Sequence, residues 1–245
     1  MRSTWVTGLV AGFMLVAAQA HASPLTVNAT DSIYGASNSG YGATDPVSVM
    51  LNSGATSLSF SSVTGSITTN CASSEGCISL NNGGNYNNPD GVGAEGGSYN
   101  SGTLSLSGIT LPNAGALVGV FLSGSPTGLS PTALDFTTGA GTSFTSLSPL
   151  IDQVFFIGDG LTGNGTGSTQ TFYVPTGATT LDLGIADACG YNGGPSCYGD
   201  NLGSYGVTVN QQGGSVPVPE PASVVTLAVG MLGLLGVSRL RRTRA

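Results

Sequence analysis

The chain has 245 residues, twelve acids against five bases, and one histidine, His21. All five bases lie at its ends (Arg2, then Arg239, Arg241, Arg242 and Arg244), so residues 23–215 carry eleven carboxylates, no Lys or Arg, and a formal charge of −11. That region has no cation to neutralise phosphates and no histidine for a Ser-His-Asp or Cys-His triad, which excludes nucleic-acid binding and those nucleophilic mechanisms.

The predicted elements begin with an export signal. Arg2 supplies a positive start, Val6–Ala18 is an apolar run too short to span a bilayer, and Ala20-His21-Ala22 is an A-x-A cleavage site. Residues 1–22 therefore read as a signal peptide for signal peptidase. Residues 23–55 read as an N-terminal extension, partly strand or disordered, with candidate strands at Leu25–Ala29 and Val47–Leu51.

Residues 56–211 read as one all-β domain, rich in Gly, Ser, Thr and Asn. Candidate strands are Ser57–Ser61, Gly65–Thr68, Thr103–Ser107, Ala116–Leu122, Gln153–Ile157, Thr171–Val174, Thr180–Ile185 and Tyr205–Asn210. Tyr205-Gly-Val207-Thr-Val209 has period two, the mark of a strand with one buried face, whereas Val154-Phe-Phe-Ile157 is continuous and reads as central. Short strands between turn-rich loops predict a jelly-roll-like β-sandwich. Residues 30–46 and 81–102 read as long loops, where binding concentrates or order is lost.

Residues 212–218 read as a linker. Beyond them Ala222–Ser238 is apolar and uncharged, close to bilayer thickness at about 1.5 Å per residue of helix. Arginines follow at once, which keeps that end cytoplasmic and turns the domain outward. Pro219-Glu220-Pro221 precedes the predicted helix, where proline fixes a sharp start. This order of Pro-Glu-Pro, hydrophobic span and arginine cluster resembles the PEP-CTERM sorting signal of Gram-negative bacteria. The resemblance implies recognition of residues 219–245 by an exosortase while the tail lies in the inner membrane. It further implies delivery to the cell surface or the extracellular matrix.

Cys71, Cys77, Cys189 and Cys197 suit an oxidising compartment. Of the three possible pairings, 71–77 with 189–197 is preferred, because each closes a short Gly/Ser-rich loop. A zinc site lacks both histidine and CxxC spacing.

The loop from Asp187 to Asn201 joins two candidate strands and carries oxygen-bearing side chains at both rims: Asp187, Asp200 and Asn201. Calcium takes six to eight such oxygens. The competing reading is a solvated turn in which Asp and Asn serve local backbone bonds.

From Thr110 to Asn210 the chain is similar to the PA-I galactophilic lectin family of calcium-dependent jelly-roll proteins. Three segments carry the resemblance: Gly115-Ala-Leu-Val118 running into Phe121-Leu-Ser-Gly124; Phe172-Tyr-Val-Pro-Thr-Gly-Ala178 leading into Leu181–Ile185; and Asp187 followed by Tyr198-Gly-Asp-Asn-Leu-Gly-Ser-Tyr205 and Val207-Thr-Val209. It implies a calcium ion held by Asp187, Asp200, Asn201, the carbonyl of Cys197 and a carbonyl near Thr69 or Asn70. It also implies that a vicinal sugar diol binds that ion, with Asp187 and Asn201 at the sugar and Asn88-Pro89-Asp90 as the sugar-contacting loop. The chain departs from the family in the nine residues that separate Asp187 from Cys197, where the family has a tight turn; the longer loop would cover or extend the sugar site. Asn88 stands for the family's histidine, and Asp200 stands for an asparagine, adding charge toward a metal.

Other features weigh less. Gly158-Asp-Gly160-Leu-Thr-Gly163 matches GxGxxG, but no helical pattern follows to hold a pyrophosphate. Tyr86, Tyr99, Tyr191 and Tyr198 suit either stacking on sugar rings or packing. Asp152 with Asp159 is the pair considered for glycoside hydrolysis, yet nothing in the sequence places them across a cleft. The expectation is a non-enzymatic protein with a calcium-dependent carbohydrate-binding domain, associated with extracellular polysaccharide. The alternative is a structural matrix or adhesin protein in which calcium only stabilises loops.

Overall fold

The structure, a computed structural model, describes residues 24–36, 44–69, 87–91, 96–99, 105–124 and 130–214. The signal segment, Asn70, Cys71, Cys77, Tyr86 and the Pro219-Glu220-Pro221 tail lie outside the described residues.

The described chain is all-β. One sheet has five strands in the order β1 (Leu25–Asn28), β15 (Leu202–Gly213), β3 (Ala55–Thr68), β12 (Thr171–Tyr173) and β8 (Ser146–Leu147), antiparallel except for the last pair. A second, fully antiparallel sheet runs β2 (Val47–Met50), β13 (Thr180–Ile185), β6 (Leu117–Leu122), β9 (Val154–Phe156). A smaller sheet joins β14 (Asn192–Gly193), β4 (Gly97–Tyr99), β5 (Ile109–Leu111) and β7 (Leu134–Asp135). β10 (Leu161–Gly163) and β11 (Thr166–Thr169) form a separate hairpin.

Burial follows the sequence pattern. On β15, Tyr205, Val207 and Val209 are buried while their neighbours are not, as period two requires for a sheet with one covered face. β6 is buried at every residue and β13 at all but its first, as continuous apolar runs demand of strands covered on both sides. Phe172 joins the layers: its ring lies 5.1 Å from Phe60 of its own sheet and 5.5 Å from Phe155 of the other. Such aromatic pairs each contribute about 1 kcal/mol beyond the area they bury.

Several boundaries differ from the sequence reading. β1 and β2, in the segment read as an N-terminal extension, are hydrogen-bonded into the two main sheets. Ser57–Ser61 and Gly65–Thr68 are one strand. Ser62 (φ 52°) and Gly65 (φ 104°) bend it, and pairing with β15 survives through a register shift between Gly206 and Thr208. Residues 105–107 form no strand. There the Ser107 hydroxyl accepts the Val154 N–H at 2.8 Å, in place of a ladder partner. The GxGxxG segment runs into the β10–β11 hairpin, not a helix. No helix among the described residues is long and apolar enough to cross a membrane.

Candidate functional site

Register brings the predicted ligands to one pole of the two main sheets. Thr68 pairs with Leu202, Asn28 with Ser204, and Leu117 with Ile185. The end of β3, the turn after β1, and the loop from Asp187 to Asn201 therefore meet there.

Asp187 follows β13 and is 1% exposed. Its Oδ1 accepts the Ala188 N–H at 2.8 Å, while Oδ2 has no hydrogen-bond partner. Its backbone N–H donates to the Tyr198 hydroxyl at 3.1 Å, and that hydroxyl donates to the Ile185 carbonyl at 3.0 Å. Tyr198 thus holds the strand exit on which Asp187 sits. Asn201 is buried as well; its Nδ2 donates to the Ala29 carbonyl at 2.9 Å, and its Oδ1 has no partner. Asp200 is half-buried, and its Oδ1 is enclosed without a partner. The Cys197 carbonyl accepts the Asp200 N–H across a long 3.4 Å, leaving a lone pair for another bond.

Three predicted ligands thus each present a buried oxygen that no donor satisfies. Such groups cost about 1–3 kcal/mol when left unpaired. Burial pushes the Asp187 carboxyl up to about 7; the adjacent Asn201 amide and the Ala188 N–H oppose the shift, and the charge of Asp200 adds to it. Asp200 is also raised, by burial. Among the described residues, no three His, Cys, Asp or Glu side chains gather in a metal-binding group. A cation here would rest on two carboxylates, the Asn201 amide oxygen and backbone carbonyls. That donor set is all hard oxygen and fits Ca²⁺.

Cys189 and Cys197 form a disulfide with Cα atoms 5.2 Å apart. The loop that it closes lies sideways: Asn192–Gly193 adds to the smaller sheet beside β4, and the Asn192 side chain accepts the Ser98 N–H at 3.3 Å. Cys197, in the left-handed region at φ 65°, leads directly into the turn bearing Asp200. Replacing both cysteines by serine is expected to lower stability by about 2.5 kcal/mol through loss of loop closure. Urea unfolding of the double variant against the parent measures this, and equal midpoints would contradict it.

The Asn88-Pro89-Asp90 loop reaches the same pole. Asn87 bridges to Ile67 of β3, and the Pro89 carbonyl accepts the Leu117 N–H at 2.9 Å. The Tyr205 hydroxyl lies 2.8 Å from the Asn88 carbonyl and 2.9 Å from that of Gly115. Asn88 donates to the Asn164 side chain. Asp90 is 8% exposed; Oδ1 accepts the Asp159 N–H at 2.9 Å and Oδ2 has no partner. Burial raises its carboxyl to about 6, against the Asp159 N–H and with the Asp159 charge.

Tyr99 and Tyr198, candidates for sugar stacking, are buried and belong to the packing around Asp187. Burial first, then the Asp187 charge, raises the Tyr99 hydroxyl. Asp152 and Asp159 do not face one another. The Asp152 N–H donates to the carbonyl of Phe121 near the end of β6, while Gly158, next to Asp159, donates to that of Leu117 at its start. Asp159 spends both carboxylate oxygens on the N–H groups of Leu161 and Gly165. Sequence reading missed Tyr205 as the post beneath the Asn88 loop and Ala29 as the partner of Asn201. Both contacts link residues more than a hundred positions apart, so no local pattern signals them.

In comparisons with known proteins, no family model, curated protein or solved structure matches the chain.

Proposed function

We propose that this is an exported surface or matrix protein whose domain, read as a jelly-roll sandwich, binds carbohydrate through calcium. The observation that carries the reading is the trio of unsatisfied buried oxygens: Asp187 Oδ2, Asp200 Oδ1 and Asn201 Oδ1. Residues 23–215 contain no Lys or Arg that could neutralise them. Asp187, Asp200, Asn201 and the Cys197 carbonyl would hold the ion, with a carbonyl of Thr69 or Asn70 after β3. Bound calcium supplies open coordination positions that two neutral hydroxyls of a vicinal diol can fill in place of water. Asn88, Pro89 and Asp90, at the same pole, would contact the rest of the sugar. The signal segment and the PEP-CTERM-like tail support processing by signal peptidase and exosortase, and a partner in extracellular polysaccharide.

One observation favours the second reading, in which calcium only fixes the fold. The Asn201 amide ties the start of β15 to Ala29 after β1, so an ion on Asn201 would lock two strand ends. A glycan array separates the two. Hits in calcium that chelator abolishes are expected for a lectin. Loss of thermal stability on chelation, with no glycan retained, assigns the ion a structural role and removes the sugar.

A further inference from the structure

The pole opposite the candidate calcium site has a different chemistry. It gathers residues 50–56, the end of β6, residues 148–151, the 173–180 turn and the end of β15. Thr180 pairs with both Met50 and Leu122, Phe121 bridges to Ile151, and Gly213 pairs with Ala55. Gln211 ties the strands together, donating from Nε2 to the Met50 carbonyl at 3.0 Å and accepting the Asn52 N–H at 2.7 Å.

Residues 50–56, 122–124, 148–151, 173–180 and 211–214 contain no acidic or basic residue. They carry three of the four large apolar side chains exposed among the described residues: Met50 at 73%, Leu150 at 57% and Tyr173 at 50%. The fourth, Leu202, starts β15 at the far pole. That far pole carries the acids Asp31, Asp90, Asp159, Asp187 and Asp200.

Asp152, which follows Ile151 here, is buried. The chain leaves the domain at this pole. β15 ends at Gly213, and residues 215–221 alone separate Gly214 from the apolar run that starts at Ala222. Fully extended, that link reaches at most about 25 Å.

We propose that, while the tail is in place, the pole bearing Met50, Leu150 and Tyr173 docks on the surface of the lipid bilayer. The candidate calcium site then points away from the membrane. This rests on the reading of residues 222–238 as a membrane segment. Three features support it. A short tether keeps this pole near the bilayer. Met, Leu and Tyr suit the boundary between headgroups and acyl chains, Tyr keeping its hydroxyl in the wet layer. A domain of charge −11 meets anionic lipid at least cost through this end, where the adjoining carboxylate, Asp152, is only 7% exposed. β15 runs from one pole to the other, and twelve residues of strand span about 35 Å, which sets how far the site stands off.

The only tryptophan is Trp5, so a Trp5→Phe background gives no tryptophan emission. In it, Met50→Trp, Leu150→Trp and, at the far pole, Thr166→Trp are made in the full chain. Each is reconstituted with phosphatidylethanolamine–phosphatidylglycerol vesicles containing brominated lipid. Quenching several-fold stronger at 50 and 150 than at 166 is expected. Flotation with vesicles but equal, weak quenching at all three overturns the docking and leaves the tail reading intact. Failure to float removes the tail reading and the proposal with it. A blue-shifted emission at 50 or 150 without lipid quenching also overturns it. In that case dependence on protein concentration assigns the pole to a second copy, and independence assigns it to the chain's own tail.

Discussion

Asp187→Asn is expected to abolish the response of the protein to calcium while making the calcium-free form more stable at pH 8. The sign follows from the carboxyl's burial. Its folded pKa of about 7 lies above the value of about 4 for an unfolded aspartate. Between those two values the folded protein holds more protons than the unfolded chain, so its stability falls as pH rises through that window and levels off above about 7. The loss from this one group is on the order of 4 kcal/mol. Asp90, raised to about 6, adds to the fall over the lower part of the range. Asparagine keeps an acceptor for the Ala188 N–H and brings no charge, so the variant lacks the Asp187 share of the slope. Calcium acts on the parent in the opposite sense, by favouring the ionised carboxylate. At 100-fold excess over its Kd it stabilises by about 2.7 kcal/mol, a rise in Tm of roughly 5–10 °C for a domain of this size. Thermal melts at pH 5 and pH 8, in calcium and in chelator, test all of this. A parent whose Tm ignores chelator, or a variant that calcium stabilises equally, would sink the metal assignment.

The meeting of Asp187, Asp200 and Asn201 was legible because three oxygen-bearing residues stand on one loop between two strong strands, and β13 keeps the Thr180–Ile185 limits read from its apolar run. β15 was harder to bound. Its apolar alternation stops at Val209, but its hydrogen bonds to β3 continue to Gly213 because a long antiparallel partner is present. β4, β5 and β7 have two or three residues each, too few to show a period, and exist through pairing with one another. The direction of the 189–197 loop depends on Asn192–Gly193 meeting Ser98–Tyr99, a contact across the fold that composition does not encode. Tyr99 and Tyr198 illustrate the same limit. Their sequence surroundings are polar and glycine-rich, as a sugar platform would be, yet both rings lie inside, where the Tyr198 hydroxyl is used on Asp187 and Ile185.

Gly203→Ala is expected to cost on the order of 3 kcal/mol and to weaken calcium binding, though residue 203 offers no ligand. Gly203 has φ +94°, outside the region that L side chains adopt with ease. A Cβ there would lie 2.3 Å from the Ser66 carbonyl oxygen and 3.1 Å from the Ile67 Cα, both backbone atoms of the paired strand β3. Neither can rotate away, so β15 must separate from β3 at its first residues. The damage does not stop at the ladder. The Gly203 carbonyl accepts the Ala29 N–H at 3.0 Å, and the Ala29 carbonyl accepts the Asn201 amide at 2.9 Å. A shift at Gly203 therefore moves the segment that orients Asn201. Gly199, four residues upstream in the turn before β15, is the control: a Cβ there meets nothing within 4 Å, and its φ is not positive. Gly199→Ala should change stability by less than about 0.5 kcal/mol. Calorimetric titration with calcium, beside thermal melts of both variants, reads the two effects together. Equal Tm values for the two alanine variants would contradict the strain argument. A destabilised Gly203→Ala protein that still bound calcium with parental affinity would uncouple the strand start from the site.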